Sequence, residues 1–348
     1  MTDFPLAPPR PSLLSRLWAK ERVWLASAAI LAALFLVVPA QGLTSAGFVA
    51  SALVKIAPYL ALSILIAAYA GATGADGLIA RAFTGAPALM IVVAAAAGAL
   101  SPFCSCGVIP LIAALLSMGV PLAAVMAFWL ASPVMDPSMF ALTAGVLGAE
   151  FAVAKTLAAF GLGLGGGIVT YALAGAGALT DPLREGVGDG GCGGSKIRVR
   201  RPVVWRFWED AARRAKFGTE SLKTTLFLAK WLTLAFLLES LMVAYLPADL
   251  VVRAVGGEGV APILSATLVG VPAYLNGYAA LPLVGGLIDQ GMAPGAAMAF
   301  LVAGGVTSLP AALAVWALVK RPVFGLYIAL SLSGAFLSGL LFQLWTAA

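Results

Sequence analysis

Histidine is absent from the sequence, cysteine occurs only three times, and charged residues make up only 10% of the chain. Without histidine, the chain cannot hold zinc or copper through imidazole. Three cysteines do not form the even, regularly spaced set that predicts a disulfide framework. Soluble domains carry about 25% charged residues, so the scarcity of charge excludes an ordinary soluble domain.

Apolar residues dominate what is present: they make up 61% of the 348 residues, and the mean hydropathy is +1.01. A helix that crosses a bilayer needs about 20 mostly apolar residues. The sequence therefore predicts an all-α polytopic protein of a bacterial inner membrane, in contact with the lipid bilayer. Its apolar segments lie near 23–43, 46–71, 88–118, 121–146, 151–176, 224–246, 260–289, 293–318 and 322–346.

The net charge of +6 comes mostly from loops beside these apolar segments. The tendency of cytoplasmic loops to be basic explains this charge, so nucleic acid is not an expected partner. The longest polar region divides the chain in two. We expect a cytoplasmic N-terminal tail, an extra transmembrane helix, a first transmembrane repeat, a basic cytoplasmic loop with a glycine-rich linker and an amphipathic helix, and a second transmembrane repeat (1–22, 23–45, 46–176, 177–222 and 223–348).

The internal repeat is visible in matched residues of the two halves. The matched pairs are Pro102 and Pro272, Gly107 and Gly277, Pro110 and Pro282, Met126-Ala127-Phe128 and Met298-Ala299-Phe300, and Lys55 and Lys230. If 88–118 and 260–289 are re-entrant hairpins of two half-helices, the N-terminus, the central loop and Lys320-Arg321 all fall on the cytoplasmic side. Each repeat then has three crossings, and this odd number makes the repeats inverted, as in many secondary transporters.

Two cysteines stand at the first hairpin, in the stretch SPFCSCGVIPL. Pro102, Pro110 and Gly107 interrupt the helix, because proline removes an amide donor and glycine permits unusual backbone angles. Residues two apart on a helix face away from each other, so Cys104 and Cys106 can hold one atom only where the helix is broken. Thiols bind soft metals and metalloids, and these two are candidate transient ligands.

The second hairpin carries an amide where the first carries sulfur. Asn276 and Gly277 stand between Tyr274 and Tyr278 in the stretch YLNGYAALP. These four residues are further candidates for substrate contact.

Charged residues inside apolar segments are functional candidates by default. Asp136, between two prolines, is the first candidate for a coupling carboxylate, and Glu239 is the second. Lys55 and Lys230 are candidate ion-pair partners that could instead extend to the membrane surface. Glu150, Lys155 and Asp289 lie near segment ends, where we expect ordinary solvation at the interface.

Other interpretations of the cysteines stay open. Two neighbouring thiols can simply pack in an apolar segment, or they can cycle between dithiol and disulfide in a membrane thiol oxidoreductase. The usual redox spacing is Cys-x-x-Cys, and that motif is absent. Cys192, in the glycine-rich linker, has no assigned role. A passive channel is the remaining alternative to a coupled permease.

The stretches SPFCSCGVIPL, ASPVMDP and YLNGYAALPLVGGLIDQG resemble the predicted-permease family that contains YraQ and the ArsP permeases, from about residue 46 onward. The resemblance implies efflux of trivalent organoarsenicals, or of copper or zinc as in other members. It also assigns Cys104, Cys106, Gly107 and Pro110 to one family motif, and Asn276 and Gly277 to a second. Metal-linked members carry Cys- or His-rich central loops, whereas this loop has one cysteine and no histidine.

We therefore expect a permease, not an enzyme, that exports a thiophilic small species by ion-coupled alternating access. The expected substrate is a trivalent (organo)arsenical, with copper or zinc as the alternative. We expect no resident cofactor, and a homo-oligomer is compatible with the sequence.

Overall fold

A computed structural model describes residues 13–74, 86–101, 108–175, 179, 182–184, 203–245, 256–257, 259–273 and 277–347. Thirteen α-helices and one short 3₁₀ turn, Phe207–Glu209, account for most of these residues. The helices are α1 (Leu13–Val37), α2 (Pro39–Thr73), α3 (Pro87–Ala99), α4 (Ile109–Ser117), α5 (Leu122–Ala131), α6 (Pro137–Leu147), α7 (Ala149–Gly175), α8 (Ala211–Tyr245), α9 (Val260–Ala273), α10 (Gly277–Asp289), α11 (Pro294–Thr307), α12 (Leu309–Leu318) and α13 (Arg321–Ala347).

Five helical stretches in the described ranges are long and apolar enough to cross a membrane. They are Pro39–Pro58, Ala149–Gly175, Ala211–Leu241, Pro294–Leu318 and Arg321–Ala347. The remaining apolar helices are shorter, and many have ten to fourteen residues. A helix of about 13 residues extends only about 20 Å, less than the roughly 30 Å of a hydrocarbon core. The all-α, multi-pass membrane class is confirmed.

The helix bounds differ from the sequence expectation in four regions. The second apolar segment begins at Pro39, directly after α1 ends at Val37. Segment 121–146 is divided between α5 and α6, and segment 293–318 is divided at Ser308 between α11 and α12. The amphipathic part of the central loop merges with α8, which begins at Ala211. Hydropathy averages over a window and does not detect such interruptions.

In the first half, α3 and α5 run in the same direction against α7, which runs in the opposite direction. A methyl group on Gly167 would lie 2.6 Å from Cγ2 of Ile91 and 2.9 Å from Cβ of Ala127. One turn earlier on α7, a methyl group on Gly163 would lie 3.1 Å from Cβ of Ala95 and 2.9 Å from Cβ of Ala131. The glycines therefore allow three helices to approach closely, as small residues do in membrane proteins.

Both ends of the α3–α4 unit lie on one face of the molecule. The start of α3 is level with the start of α5, since Ile91 and Ala127 meet at Gly167. The end of α4 connects to α5 through a tight turn at 118–121. The chain therefore enters the helix bundle at the start of α3 and leaves it at the end of α4 on the same side. By contrast, α5 and α6 follow one another along the length of α7 and form a single interrupted crossing.

The second half contains the same contacts. A methyl group on Gly339 would lie 2.8 Å from Cγ2 of Ile263, 2.8 Å from Cβ of Ala299 and 2.6 Å from the carbonyl oxygen of Gly295. Each of these residues follows its counterpart among Gly167, Ile91, Ala127 and Ala123 by the same number of positions. Gly98 and Gly270 form another such pair of positions. Gly98 approaches the carbonyl oxygen of Phe128, and Gly270 approaches that of Phe300.

The halves meet along helices that run in opposite directions. Leu162 of α7 packs against Gly334 of α13, and Nε1 of Trp345 donates to Oε1 of Glu150 at 2.6 Å. These two contacts join late residues of α13 to early or central residues of α7. Gly285 of α10 packs against Val146, near the end of α6.

We predict that Gly167→Ala destabilises the protein by about 1–3 kcal/mol, because its methyl group has no room between α3 and α5. Gly165→Ala, on the same helix with open space around it, is the control and should be neutral or stabilising by roughly 0.5–1 kcal/mol. Thermal unfolding in detergent measures both. Equal melting temperatures for the two variants would contradict the packing.

Candidate functional site

Two helices end at the same level in the interior of the first half. Gly98, in the last turn of α3, packs against Ala131, the last residue of α5. The residues that follow each end, Ser101 and Ser132, are buried. Neither hydroxyl oxygen has a hydrogen-bond partner among the described residues. Non-helical backbone at membrane depth is tolerated only inside protein or beside a wet cavity, so this level is the candidate site.

Asp136 forms the N-cap of α6 after the interruption. Its Oδ1 accepts hydrogen bonds from the backbone N–H groups of Ser138 at 2.8 Å and Met139 at 2.9 Å, and from the Ser138 hydroxyl. A negative charge is favoured at a helix N-terminus, where the first N–H groups lack helical partners. The carboxylate therefore starts the second part of the interrupted crossing.

Lys155 of α7 is buried beside this cap, contrary to the expectation of interfacial solvation. Its side chain is 1% exposed, and Nζ has no hydrogen-bond partner among the described residues. The charge that attracts it is the Asp136 carboxylate. The position near the end of an apolar segment suggested solvent, but α5 and α6 cover this end of α7. The missed signal is helical periodicity: Lys155, Ala159, Gly163 and Gly167 share one buried face.

The corresponding level of the second half is neutral. Ser308 stands at the N-cap of α12, as Asp136 does for α6. Tyr327 of α13 corresponds in position to Lys155, and its hydroxyl donates to the carbonyl oxygen of Val306, near the end of α11. The Tyr327 ring also stacks on Trp129 of α5, with ring centroids 4.9 Å apart. A neutral donor thus serves the second interruption and links it to the first half.

The other charged candidates lie apart from Asp136. Glu239 of α8 is buried, and its Oε2 has no hydrogen-bond partner among the described residues. Lys55 is exposed on α2, and Lys230 is half-buried on α8. Lys155, which was not expected to take part, is the described cation that attracts Asp136.

The predicted substrate ligands adjoin this level in the chain. Cys104, Cys106 and Gly107 lie outside the described residues, between Ser101 and Val108, as do Tyr274, Asn276, the side chain of Tyr278, and Cys192. Pro110 is buried in the first turn of α4, and Gly277 begins α10. Within the described ranges, no three metal-ligating side chains come together.

A wide groove in the described part of the chain lies elsewhere. It measures about 820 Å³ and runs between α7 and α13, with mostly apolar walls that include Leu157, Gly161 and Leu341. Glu150 and Trp345 stand at one end. Neither Lys155 nor Asp136 lines it, so it is distinct from the helix interruptions.

The fold and the buried polar level define a multi-pass membrane protein with interrupted helices. The chain belongs to the ArsP_1 family of predicted permeases, whose model matches residues 44–344. The resemblance inferred from the sequence motifs is thereby confirmed. The UPF0718 protein YcgR of Bacillus subtilis (strain 168) is 33% identical over 87 residues, which cover 25% of this chain and 30% of that protein. No solved structure matches the chain.

We predict that Tyr327→Phe destabilises the protein by about 1–3 kcal/mol, because the buried Val306 carbonyl loses its donor. Tyr171→Phe, an exposed tyrosine on α7, is the control and should change stability by less than about 0.5 kcal/mol. Both are compared by thermal unfolding in detergent. A stable Tyr327→Phe variant would show that the hydroxyl does not close the second interruption.

Proposed function

We propose that this protein is a secondary permease that exports trivalent (organo)arsenicals, with Cys104 and Cys106 as transient ligands. The observation that carries the proposal is the common end of α3 and α5. The cysteine pair follows Ser101 by a few residues, and Ser101 is buried where two helices stop together. Family membership supports a transporter in place of an enzyme.

The chemistry of trivalent arsenic suits a pair of thiols. A trivalent methylarsenical carries two exchangeable hydroxyl groups. Two thiols replace them, two As–S bonds form, and the two thiol protons leave as part of two water molecules. The adduct is neutral, so no isolated charge is left at membrane depth, where it would be costly. Return of two waters reverses the exchange and releases the cargo.

An inverted pair of repeats is part of the proposal. It is supported by the matched glycine contacts in the two halves and by the antiparallel meeting of α7 with α13. The α3–α4 unit then enters from one side as a hairpin, and α9–α10 enters from the other. Such repeats allow alternating access, in which one half moves against the other around a site near the midplane.

The distribution of charge supports a cytoplasmic central loop. The backbone N–H of Lys320 donates to the carbonyl of Pro182 at 2.9 Å, so the start of α13 lies beside the central loop. Nη1 of Arg213 and Nζ of Lys216 donate to the carbonyl oxygens of Ala72 and Gly71 at the end of α2. These basic residues gather where the positive-inside rule expects cytoplasm.

We predict from this orientation that the C-terminus is periplasmic and the central loop cytoplasmic. Alkaline phosphatase, which is active only outside the cytoplasm, should be active when fused after Thr346. The same enzyme inserted within 185–202 should be inactive. A cytoplasmic C-terminus would exclude three crossings plus a hairpin in each half.

We predict that wild-type protein gives a sensitive bacterial host resistance to methylarsenite and that Cys104→Ser and Cys106→Ser each abolish it. The reason is that one remaining thiol cannot replace both hydroxyl groups. Cys192→Ser is the matched control and should keep resistance. The measurement is growth inhibition on arsenite, methylarsenite, antimonite, mercury, copper and zinc, with protein levels checked in the membrane fraction.

Each pattern in that panel has a distinct meaning. Resistance that persists in both thiol variants contradicts thiol ligation. Resistance confined to copper or zinc favours the metal-efflux alternative. Absence of resistance, together with a disulfide between Cys104 and Cys106 that forms and breaks with the redox state of the cell, favours the thiol oxidoreductase.

A further inference from the structure

The two halves differ in charge at the level of the interruptions. The first half has Asp136 and Lys155 where the second has Ser308 and Tyr327. We propose that Asp136 and Lys155 are the proton-coupling pair of the permease, which rests on the transport function proposed above. A proton that binds to Asp136 releases the first turn of α6 and the ammonium group of Lys155, and the interruption between α5 and α6 opens.

The N-cap gives the proton a structural effect. Asp136 accepts three hydrogen bonds from the first turn of α6 through one oxygen. Such bonds are strong because the acceptor is charged and lies at the positive end of a helix. When the carboxylate gains a proton from water, an O–H bond forms, the charge is lost and these bonds weaken. The start of α6 then loses its main anchor.

Lys155 transmits the same event to α7. Its ammonium is buried without a hydrogen-bond partner among the described residues, and Asp136 supplies the attracting charge. A buried charge that loses its partner is strongly unfavourable. Once Asp136 is neutral, the amine is stabilised only where it reaches water, which requires the helices around it to separate.

The second half shows that this fold closes an interruption without charge. Tyr327 occupies the position equivalent to Lys155, and its neutral hydroxyl donates to the Val306 carbonyl. A charge buried near an opposite charge is weak evidence for stability. The charges of Asp136 and Lys155 in the first half therefore favour a role in the transport cycle over a role in stabilising the fold.

Few other titratable groups face this pair. The helices that pack against α7 are α3, α5, α6, α11 and α13. The first four carry no charged side chain between their ends, while α13 contributes Arg321 and Tyr327. Glu150 lies on α7 itself, and α10, which packs on α6, carries Tyr278 and Asp289. Proton binding at the interruption is thus assigned to Asp136.

Cysteine labelling tests the opening without any cargo. Ser132→Cys is introduced into a chain whose three native cysteines are serine, and the full-length protein is reconstituted in liposomes. Ser132 is buried beside the interruption, so a maleimide should react slowly at neutral pH and severalfold faster in acid. Thr170→Cys, buried farther along α7, is the control and should show no acid-dependent increase.

Asp136→Asn decides whether the carboxylate is responsible. Asparagine caps helices about as well as aspartate does but cannot take up the proton. Labelling of Ser132→Cys should therefore be fast at every pH in this variant, because Lys155 has lost the charge that attracts it, and the acid dependence should disappear. Acid dependence that survives Asp136→Asn, or no acid dependence in the parent, overturns the proposal.

A stability cycle tests the pairing with Lys155. Lys155→Met alone removes the cation and should lower the melting temperature more than Lys155→Met combined with Asp136→Asn, which removes both charges. Lys223→Gln, an exposed lysine of α8, is the control and should have little effect. Strictly additive shifts would overturn the pair. Neither measurement uses arsenic, so the coupling pair can fail while arsenical transport stands, and the reverse also holds.

Discussion

An interrupted helix inside a membrane leaves backbone N–H and C=O groups without helical partners, and lipid cannot satisfy them. The rest of this structure follows from that requirement. Asp136 takes the free N–H groups at the start of α6, and Tyr327 donates to the carbonyl of Val306 at the end of α11. The first interruption is therefore closed by the residue that caps the following helix, and the second by a side chain of α13. Both interruptions are thus closed by polar side chains of the fold.

Close glycine contacts keep the interruptions level with one another. Gly98 and Gly270 allow the carbonyl oxygens of Phe128 and Phe300 to approach the helix beside them, and Gly167 and Gly339 do the same for whole helix surfaces. Because a side chain at these points would separate the helices, the frame is stiff where the chain is broken. In the proposed alternating-access cycle, close packing around the interruptions would concentrate movement at the interruptions themselves.

The sequence predicted the membrane class, the family and the helix interruption between 99 and 109, because proline, glycine and apolar length act locally. It did not predict the interruptions at 132–136 and at Ser308, although Pro133, Pro137 and Pro310 stand there, because segment bounds drawn from hydropathy pass over single helix-breaking residues. It also assigned Lys155 to the interface. The side chain is buried by α5 and α6, and a pattern of neighbouring residues does not show which other helices pack against it. The match of Lys55 with Lys230 in the predicted internal repeat does not have the constant sequence offset that relates the glycine contacts of the two halves. The positions of Cys104 and Asn276 relative to the site stay predictions.

The asymmetry between the halves has a physical reason. In the proposed cycle, two inverted repeats would give the two access states similar energies, which a transporter needs in order to move between them. A single cargo, however, needs only one set of ligands, and a single coupling ion needs only one titrating group. The first half carries the two cysteines in its sequence and the charges of Asp136 and Lys155, while the second half has Ser308 and Tyr327 at the equivalent positions. A frame with matched packing and unmatched polar groups can alternate with little cost and still bind ion and cargo on one side of its symmetry.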